Sequence, residues 1–540
     1  MKKHIPLITR FLLPLFIFAL PFIFVSVYTG NRTIILVSLL SVAAALLFVY
    51  LGWHRIDYDR ESKNQKTILS CLLTLTVLFS FFVCAVSIEN EWVFVYPLEK
   101  SVDDYGCYPQ MFDAFKKGQL NIDTEFDLTI FETLENPYDP NQRYELTGVK
   151  HGVYWDRALF EGKLYSYFGA APIFFIYFPF YFLTGTIPSD ALACTIITAL
   201  AAVVLMFLLL EFINRLKAKI PFLLLLLSLV TLPCGALLWS SLTCANFYHI
   251  AVLFGILAVS SFFLFLLKSE NSFGKKRFLF LFLSGLSLGA TVASRPNLIV
   301  YFIIAIPFIL SLIKSSRSRA FDIVSFLVPL VSAGILIMIY NYLRFGSVFD
   351  FGSAYQLTVS DTSKYRFSFS LIIPAIYHYF VHAPSLDRIF PYIHPVSRVF
   401  NSYGNTPYVY LDKTVGAFFF PAAWGVFLVP FVLKDNKKAR NAAYLAIVSV
   451  VTVAVIDMCF GGVHLRYAAD IMFVLTLLGI LMLLLLVGEQ DRSSAKFAIT
   501  FSIVSLLLIT TVLVELPLCF DNERDMILHY HPEFFKLFFH

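Results

Sequence analysis

Charge is in short supply in this chain. Asp, Glu, Lys and Arg make up 14% of its 540 residues and hydrophobic residues 59%, where a soluble protein carries about a quarter charged residues. That shortage excludes a soluble globular fold of this size. Ten-residue stretches of alternating apolar and polar positions are missing too, which excludes an outer-membrane barrel. There is no Walker-type phosphate loop to drive transport with ATP, no strand–helix nucleotide domain to hold a sugar nucleotide, and no nucleophile elbow on a strand-to-helix turn. The eight cysteines show no paired spacing, so neither a disulfide framework nor a zinc site is indicated. Cys71, Cys84, Cys194, Cys234, Cys244 and Cys459 lie in or near apolar segments; only Cys107 and Cys519 fall where exposure is expected. A net charge of +5 gives no reason to invoke nucleic acid.

What the chain does have is hydrophobic length. A spanning helix needs roughly 20 mostly apolar residues, and in lipid its backbone must be paired internally. Such windows run at 8–28, 33–52, 67–88, 165–185, 190–212, 220–240, 246–267, 278–293, 297–313, 321–343, 414–433, 441–460, 470–487 and 497–517. The expected fold is all-α and polytopic, with about 13–14 hydrophobic segments. Residues 1–10 are basic and precede an apolar run like a signal peptide, but no small-residue cleavage site follows, so the run reads as a retained first span. Basic residues cluster in the loops 55–66, 215–219, 268–277, 314–319, 434–440 and 492–496, and positive-inside bias assigns these to the cytoplasm. The polar stretches 89–164 and 344–413 and the turn at 461–466 then lie on the outer side of the cytoplasmic membrane. This divides the chain into N-terminal spans (1–88), an acidic external loop (89–164), a central membrane domain (165–343), a second external loop (344–413), C-terminal spans (414–517) and an external tail (518–540). One crossing is in excess, because 165–185 and 190–212 together follow an external loop yet lead into an internal one. The first of them holds Pro172 and Pro179. Proline breaks the helical hydrogen-bond ladder, so 165–185 is expected to cross only in part.

The insert 89–164 carries fifteen Asp/Glu against seven Lys/Arg. Within it, 109–117 spells a short amphipathic helix ending at Gly118, expected to lie along the bilayer surface, and 136–141 reads as turns. Asp103 and Asp104, close to Tyr105 and Tyr108, set two carboxylates among aromatics near the presumed membrane surface. They suit a general base; the plainer reading is a solvated turn or helix cap. Tyr154-Trp155-Asp156-Arg157 and the run 162–169, with Lys163, Tyr165 and Tyr167, join an acid, rings and cations that suit phosphate oxygens. The alternative there is an aromatic belt with snorkelling cations. Three arginines end apolar runs on the outer side: Arg295 in Ala-Ser-Arg-Pro-Asn, Arg344 in Asn-Tyr-Leu-Arg-Phe-Gly-Ser, and Arg466 in Gly-Gly-Val-His-Leu-Arg-Tyr. External arginines run against the positive-inside bias, which favours a shared anionic ligand over helix capping or salt bridges to the acidic loop. His249, His378, His382 and His394 lack metal-ligand spacing and are expected to be structural. A divalent ion on the acidic loop is chemically allowed but has no motif behind it.

These patterns resemble the C-type membrane glycosyltransferases (GT-C), including the protein mannosyltransferases and aminoarabinose transferases. The resemblance rests on the large first external loop with its early acids Asp103 and Asp104, on the run Tyr165-Ser166-Tyr167-Phe168-Gly169-Ala170-Ala171-Pro172 leading into the next span, and on the break from Gly289 to Arg295. The stretches 162–172, 294–297 and 341–352 are similar to a bacterial subgroup of that class. The chain departs from the class in having Asp103-Asp104 where many relatives have Asp-Glu, Ala171-Pro172 where many have Pro-Pro, and two extra spans before the acidic loop. The resemblance implies transfer of a sugar from a polyprenyl-phosphate donor to a cell-envelope acceptor (glycan, lipid or protein); no cofactor is predicted from the sequence, with a divalent metal left open. It implies Asp104 or Asp103 as base with Asp156 as the weaker candidate, Arg295, Lys163, Arg466 and Arg344 around the donor phosphate, and Tyr105, Tyr108, Tyr165 and Tyr167 against substrate. Two rivals stand beside it. A lipid-linked saccharide transporter would show charged or broken helices at membrane depth, whereas the polar residues here concentrate in external loops. A non-catalytic envelope-assembly protein would use 89–164 to bind a partner.

Overall fold

The computed structural model describes residues 52–87, 95–96, 106–148, 155–315, 319–388, 390–397 and 411–521, with residues 527–528 and 532–533. The elements that position the site are α1 (Lys63–Ser87), the short α2 (Cys107–Lys116), the hairpin of β1 (Ala158–Phe160) and β2 (Lys163–Tyr165), and then α3 (Asp190–Leu216), α4 (Phe222–Gly235), α5 (Leu238–Thr243), α6 (Phe247–Glu270), α7 (Gly274–Val292), α8 (Phe302–Ser315), α9 (Arg319–Phe345), α10 (Lys437–Phe460), α11 (Leu465–Gly488) and α12 (Ala495–Leu518). Among the described residues, eight helices are long and apolar enough to cross a membrane: α1, α3, α6, α8 with its leading turn from Pro296, and α9 to α12. This is the architecture of a multi-pass membrane protein. The chain is not purely α, since three two-stranded ribbons are present among the described residues.

The expected number of segments is revised. The windows 8–28 and 33–52 lie outside the described residues, apart from Gly52. Among the described residues, four apolar helices are too short to span: Ile173–Thr184, Phe222–Gly235, Phe369–Val381 and Pro421–Val432. The first falls in 165–185, where a segment short of a full crossing was expected; a π-helical turn at Ile173–Tyr177 precedes Phe178–Thr184, and left-handed Gly185 ends it. The window 220–240 is split. Pro233 ends the ladder of α4, Leu237 turns left-handed with φ 57°, and α5 starts afresh.

Polar side chains start the long helices. Ser189 accepts from the Leu192 N–H at 3.1 Å, Asn246 from Tyr248 at 2.9 Å and Ser494 from Phe497 at 3.0 Å, each satisfying an orphan donor of the first turn. α6 and α11 are apolar all round and are buried over 83% and 78% of their apolar windows, so they form the centre of the bundle. α9 is buried over only 17% of its window and turns Ile335, Leu336, Ile339 and Leu343 outward. Where α7 meets α9, Gly285 lies against the Phe326 carbonyl and Gly289 against the Ala333 methyl, so a side chain at either would collide. The letters Gly-x-Ser-x-Gly do occur here, at Gly285, Ser287 and Gly289, but a serine inside a helix is not an elbow.

The helix expected over 109–117 is present as α2, followed by left-handed Gly118. Cys107 to Phe112 are buried in protein, with Tyr108 and Phe112 packed on Tyr177. The cysteine assignment is corrected for Cys107 and Cys519, which are buried; Cys71 lies in apolar α1 as expected, on an outward face of that helix.

The break between α4 and α5 is held from another helix. Glu515 of α12 is 0% exposed and accepts the Ser240 N–H at 2.9 Å, capping the new helix from outside it. Glu515→Ala strands that donor in an apolar setting and is expected to cost about 1–3 kcal/mol, seen as a lower melting temperature in detergent. Glu515→Gln keeps an acceptor and is expected to melt close to the parent.

Candidate functional site

The two polar stretches close together over one end of the bundle. The Asp156 N–H donates to the Leu357 carbonyl at 2.9 Å, and the Leu357 N–H donates back to the Arg157 carbonyl at 2.8 Å. Buried Arg143 donates to the carbonyls of Pro137, at 2.8 Å, and Thr358. Asn136 donates to Asp361 at 3.0 Å. Beneath this lid lies a cavity of about 960 Å³. Asp156, Tyr167, Arg295, Arg344 and Arg466, five of the residues singled out in the sequence, all line it.

Asp156 precedes β1 and holds a left-handed φ of 56°. Asp tolerates that conformation better than most residues, and strain of this kind gathers at functional positions. Its side chain is 4% exposed. The Tyr248 hydroxyl donates to its Oδ2, and Trp155 Nε1 donates to the Tyr248 oxygen at 2.8 Å. Burial pushes the Asp156 carboxyl up to about 6, against the opposing pull of a Thr358 hydrogen bond and of the Arg466 and Arg157 charges.

Arg466, in the first turn of α11, lies over the rings of Tyr248 and Tyr467, each at 4.9 Å. Its Nη2 is 3.1 Å from His464 Nε2. Arg295 ends the α7 connection. Its Nε donates to Asp470 Oδ2 at 2.9 Å and its Nη2 to the same oxygen, while Asp457 Oδ1 stands 3.9 Å from Nη2 and accepts from Asn297 at 2.7 Å. Nη1 has no bond to a described residue. The run 165–172 docks beside it: the Ala171 N–H donates to the Ala293 carbonyl at 3.0 Å, and Gly169 lies so close that a side chain would run into that carbonyl.

Arg344 lines the cavity but is engaged by the protein. Its Nη1 donates to the Ser166 carbonyl at 2.5 Å, Nη2 to Asn341 at 2.9 Å and Nε to the Tyr340 carbonyl at 3.4 Å, with the Tyr340 ring 3.6 Å beneath. It is a clasp between α9 and the lid. Arg157 is likewise tied down, with two bonds to Gln110 Oε1 at 3.0 and 2.7 Å.

Three expected site residues stand outside the cavity. Lys163 opens β2 beside the hairpin turn and is exposed. Tyr165 packs on Phe345 at 5.5 Å. Tyr108 is buried on the inner face of α2, against Phe168 and Tyr177. In a tight hairpin, side-chain direction follows the pleat and not the mere presence of a cation or ring. Asp103, Asp104 and Tyr105 fall outside the described residues. Conversely, Asp457, Asp412, Tyr248 and Arg366 line the cavity without having been singled out, and Asp470 lies buried beneath them. For Asp457 and Asp470 the signal was available, as carboxylates inside apolar runs. Among the described residues no group of three His, Cys, Asp or Glu side chains is placed to hold a metal ion. Comparison with protein-family models, curated proteins and solved structures returns no match.

The Arg295–Asp470 pair sets the cavity floor. Asp470→Leu leaves a buried guanidinium without its main partner and is expected to cost about 3–5 kcal/mol. Arg295→Met combined with Asp470→Leu removes both charges and is expected to recover most of that loss. Thermal unfolding of the three purified proteins in one detergent checks both statements.

Proposed function

We propose that this chain is an integral-membrane glycosyltransferase with GT-C-like architecture, moving a sugar from a polyprenyl-phosphate donor to an extracytoplasmic acceptor. The observation that carries the reading is one cavity lined by a buried carboxylate, Asp156, and by two arginines, Arg466 and Arg295, held on aromatic rings. Its membrane-side wall includes Ile337 and Tyr340 of α9 and Ile456 and Phe460 of α10, which suits a headgroup whose hydrocarbon tail stays in lipid. An extracytoplasmic cavity agrees with the charge at the opposite end. There, α7 begins with Lys275-Lys276-Arg277 and α10 with Lys437-Lys438, where the helix dipole disfavours cations and positive-inside bias accounts for them.

In this reading the acceptor hydroxyl attacks the anomeric carbon and Asp156 takes its proton. The bond from the anomeric carbon to the phosphate oxygen breaks, and its electron pair leaves with the polyprenyl phosphate. Arg466 and Arg295 stabilise the charge that gathers on the phosphate oxygens. The base must be ionised, so activity is expected to fall below about pH 6 as Asp156 takes up a proton and to level off above it. Asp156→Asn is expected to lower transfer by about 10²–10⁴-fold with no change in melting temperature. Transfer is measured with a labelled polyprenyl-phosphate sugar and purified protein. Full activity in Asp156→Asn, with loss in Asp103→Asn/Asp104→Asn, would move the base to the earlier part of the lid.

A second reading has one observation in its favour. Asp457, Asp470 and Glu515 sit within spanning helices, and α4 is broken at Pro233 and Leu237. The expectation that polar groups keep to the loops is therefore revised, and such groups are what a lipid-linked saccharide transporter would show. Movement of a labelled polyprenyl-phosphate sugar across liposomes without its consumption would favour that reading. Activity in neither assay would leave a non-catalytic assembly role.

A further inference from the structure

We infer that His464, set by Asp412, is the positioning residue for Arg466. The inference rests on the reading of the cavity as a phosphate site. An arginine keeps all its protons, so a histidine nitrogen 3.1 Å from Arg466 Nη2 acts as the acceptor. Neutral His464 then carries its ring proton on Nδ1. That atom stands 3.4 Å from Asp412 Oδ2, long for a hydrogen bond but close enough for the carboxylate to favour this tautomer. The placement of Asp412 is built in. Leu411 pairs with Val463 in a parallel bridge, and the Asp412 N–H donates to the Val463 carbonyl at 2.9 Å. Tyr379 fixes the same turn by donating to the Gly462 carbonyl at 2.7 Å.

The chain Asp412–His464–Arg466 runs along the cavity wall, all three residues lining it. Rings of Tyr248 and Tyr467 fix the plane of the guanidinium, and His464 fixes its rotation within that plane. A side chain as rotamer-rich as arginine is thereby ordered before an anion arrives, so less ordering remains to oppose binding. His464 itself needs no contact with the ligand.

The test is a double-mutant cycle on the full chain purified in detergent. Farnesyl phosphate is the probe and farnesol the phosphate-free control, with affinity read by calorimetry. Arg466→Ala and His464→Ala are each expected to weaken farnesyl phosphate by roughly tenfold and to leave farnesol unchanged. The double variant is expected to bind no more weakly than Arg466→Ala alone. His464→Gln, which offers an amide oxygen to Arg466, is expected to restore affinity to within about threefold of the parent. Additive losses in the double variant, or parental affinity in His464→Ala, would overturn the positioning role. So would a His464→Gln protein as weak as His464→Ala. Should His464→Ala not fold, His464→Leu, of similar size and without an acceptor, takes its place. Parental binding by Arg466→Ala is a different failure, because it overturns the phosphate reading itself.

Discussion

A guanidinium taken out of water needs a carboxylate, and in this protein the contact between Arg295 and Asp470 meets that need where the chain has little other charge. Asp470 is 0% exposed and lies in the second turn of α11. Arg295 lies in the short link between α7 and the turn that leads into α8. The Tyr301 hydroxyl, at the end of the 3-10 helix Pro296–Tyr301, donates to the Asp470 carbonyl at 2.7 Å. The link is thus fastened to α11 by both side chain and backbone of one residue. The connection between α7 and α8 cannot drift from α11 without exposing both charges to an apolar setting, which is a severe penalty. The floor of the cavity follows from that constraint.

The lid is fixed to this floor by contacts that are individually ordinary. Gly169 lets the backbone of 165–172 touch Ala293 and Ser294, two residues before Arg295. Arg344 reaches from the end of α9 to the Ser166 carbonyl, and the Asp156–Leu357 pairing joins the two polar stretches to each other. Each of these uses a backbone group that would otherwise lack a partner in a region of little water. The acid-rich stretch is therefore not a free domain tethered to a membrane body. Its inner edge is part of the same packed structure as the helix ends.

How much of this could be read in the sequence depended on how rare each signal was. Arg295 was legible because a lone cation between apolar runs is rare, and the same holds for Arg344 and Arg466. Their convergence on one cavity was legible only as a consequence of sidedness. What each arginine does there was not legible, because the groups that meet each guanidinium, such as the Ser166 carbonyl at Arg344 and the Tyr248 ring at Arg466, come from remote parts of the chain. Lys163 and Tyr165 were misplaced because the hairpin turn at Glu161-Gly162 sets which way each points, and that register is a matter of backbone geometry. Asp457 and Asp470 were passed over although each lies in or beside an apolar window. Beside a loop with many carboxylates, a single acid in an apolar run is a fainter mark in the sequence, although its placement is the costlier one. The broken helix at 220–240 was half legible. Pro233 marks it, but Leu237, the left-handed residue, is a type that gives no warning.

Asp156 and Arg466 illustrate why a cavity of this kind is built between lid and helix ends instead of on either alone. A carboxylate on an open loop would be solvated and a poor base, and one deep in a helix could not meet a water-borne acceptor. At the seam, burial raises the carboxyl toward neutrality while Tyr248 still holds it in place. The nearby guanidinium acts in the opposite sense and keeps the acid ionisable. Tyr248 bonds the acid and underlies the cation, so one ring touches both charges. A displacement of α6, which carries Tyr248, would therefore withdraw the hydroxyl from Asp156 and the ring from Arg466 at once, while Arg466 itself stays with α11 and the floor at Arg295. That coupling makes the seam between α6 and the lid, more than any single residue, the part of the structure on which the proposed chemistry depends.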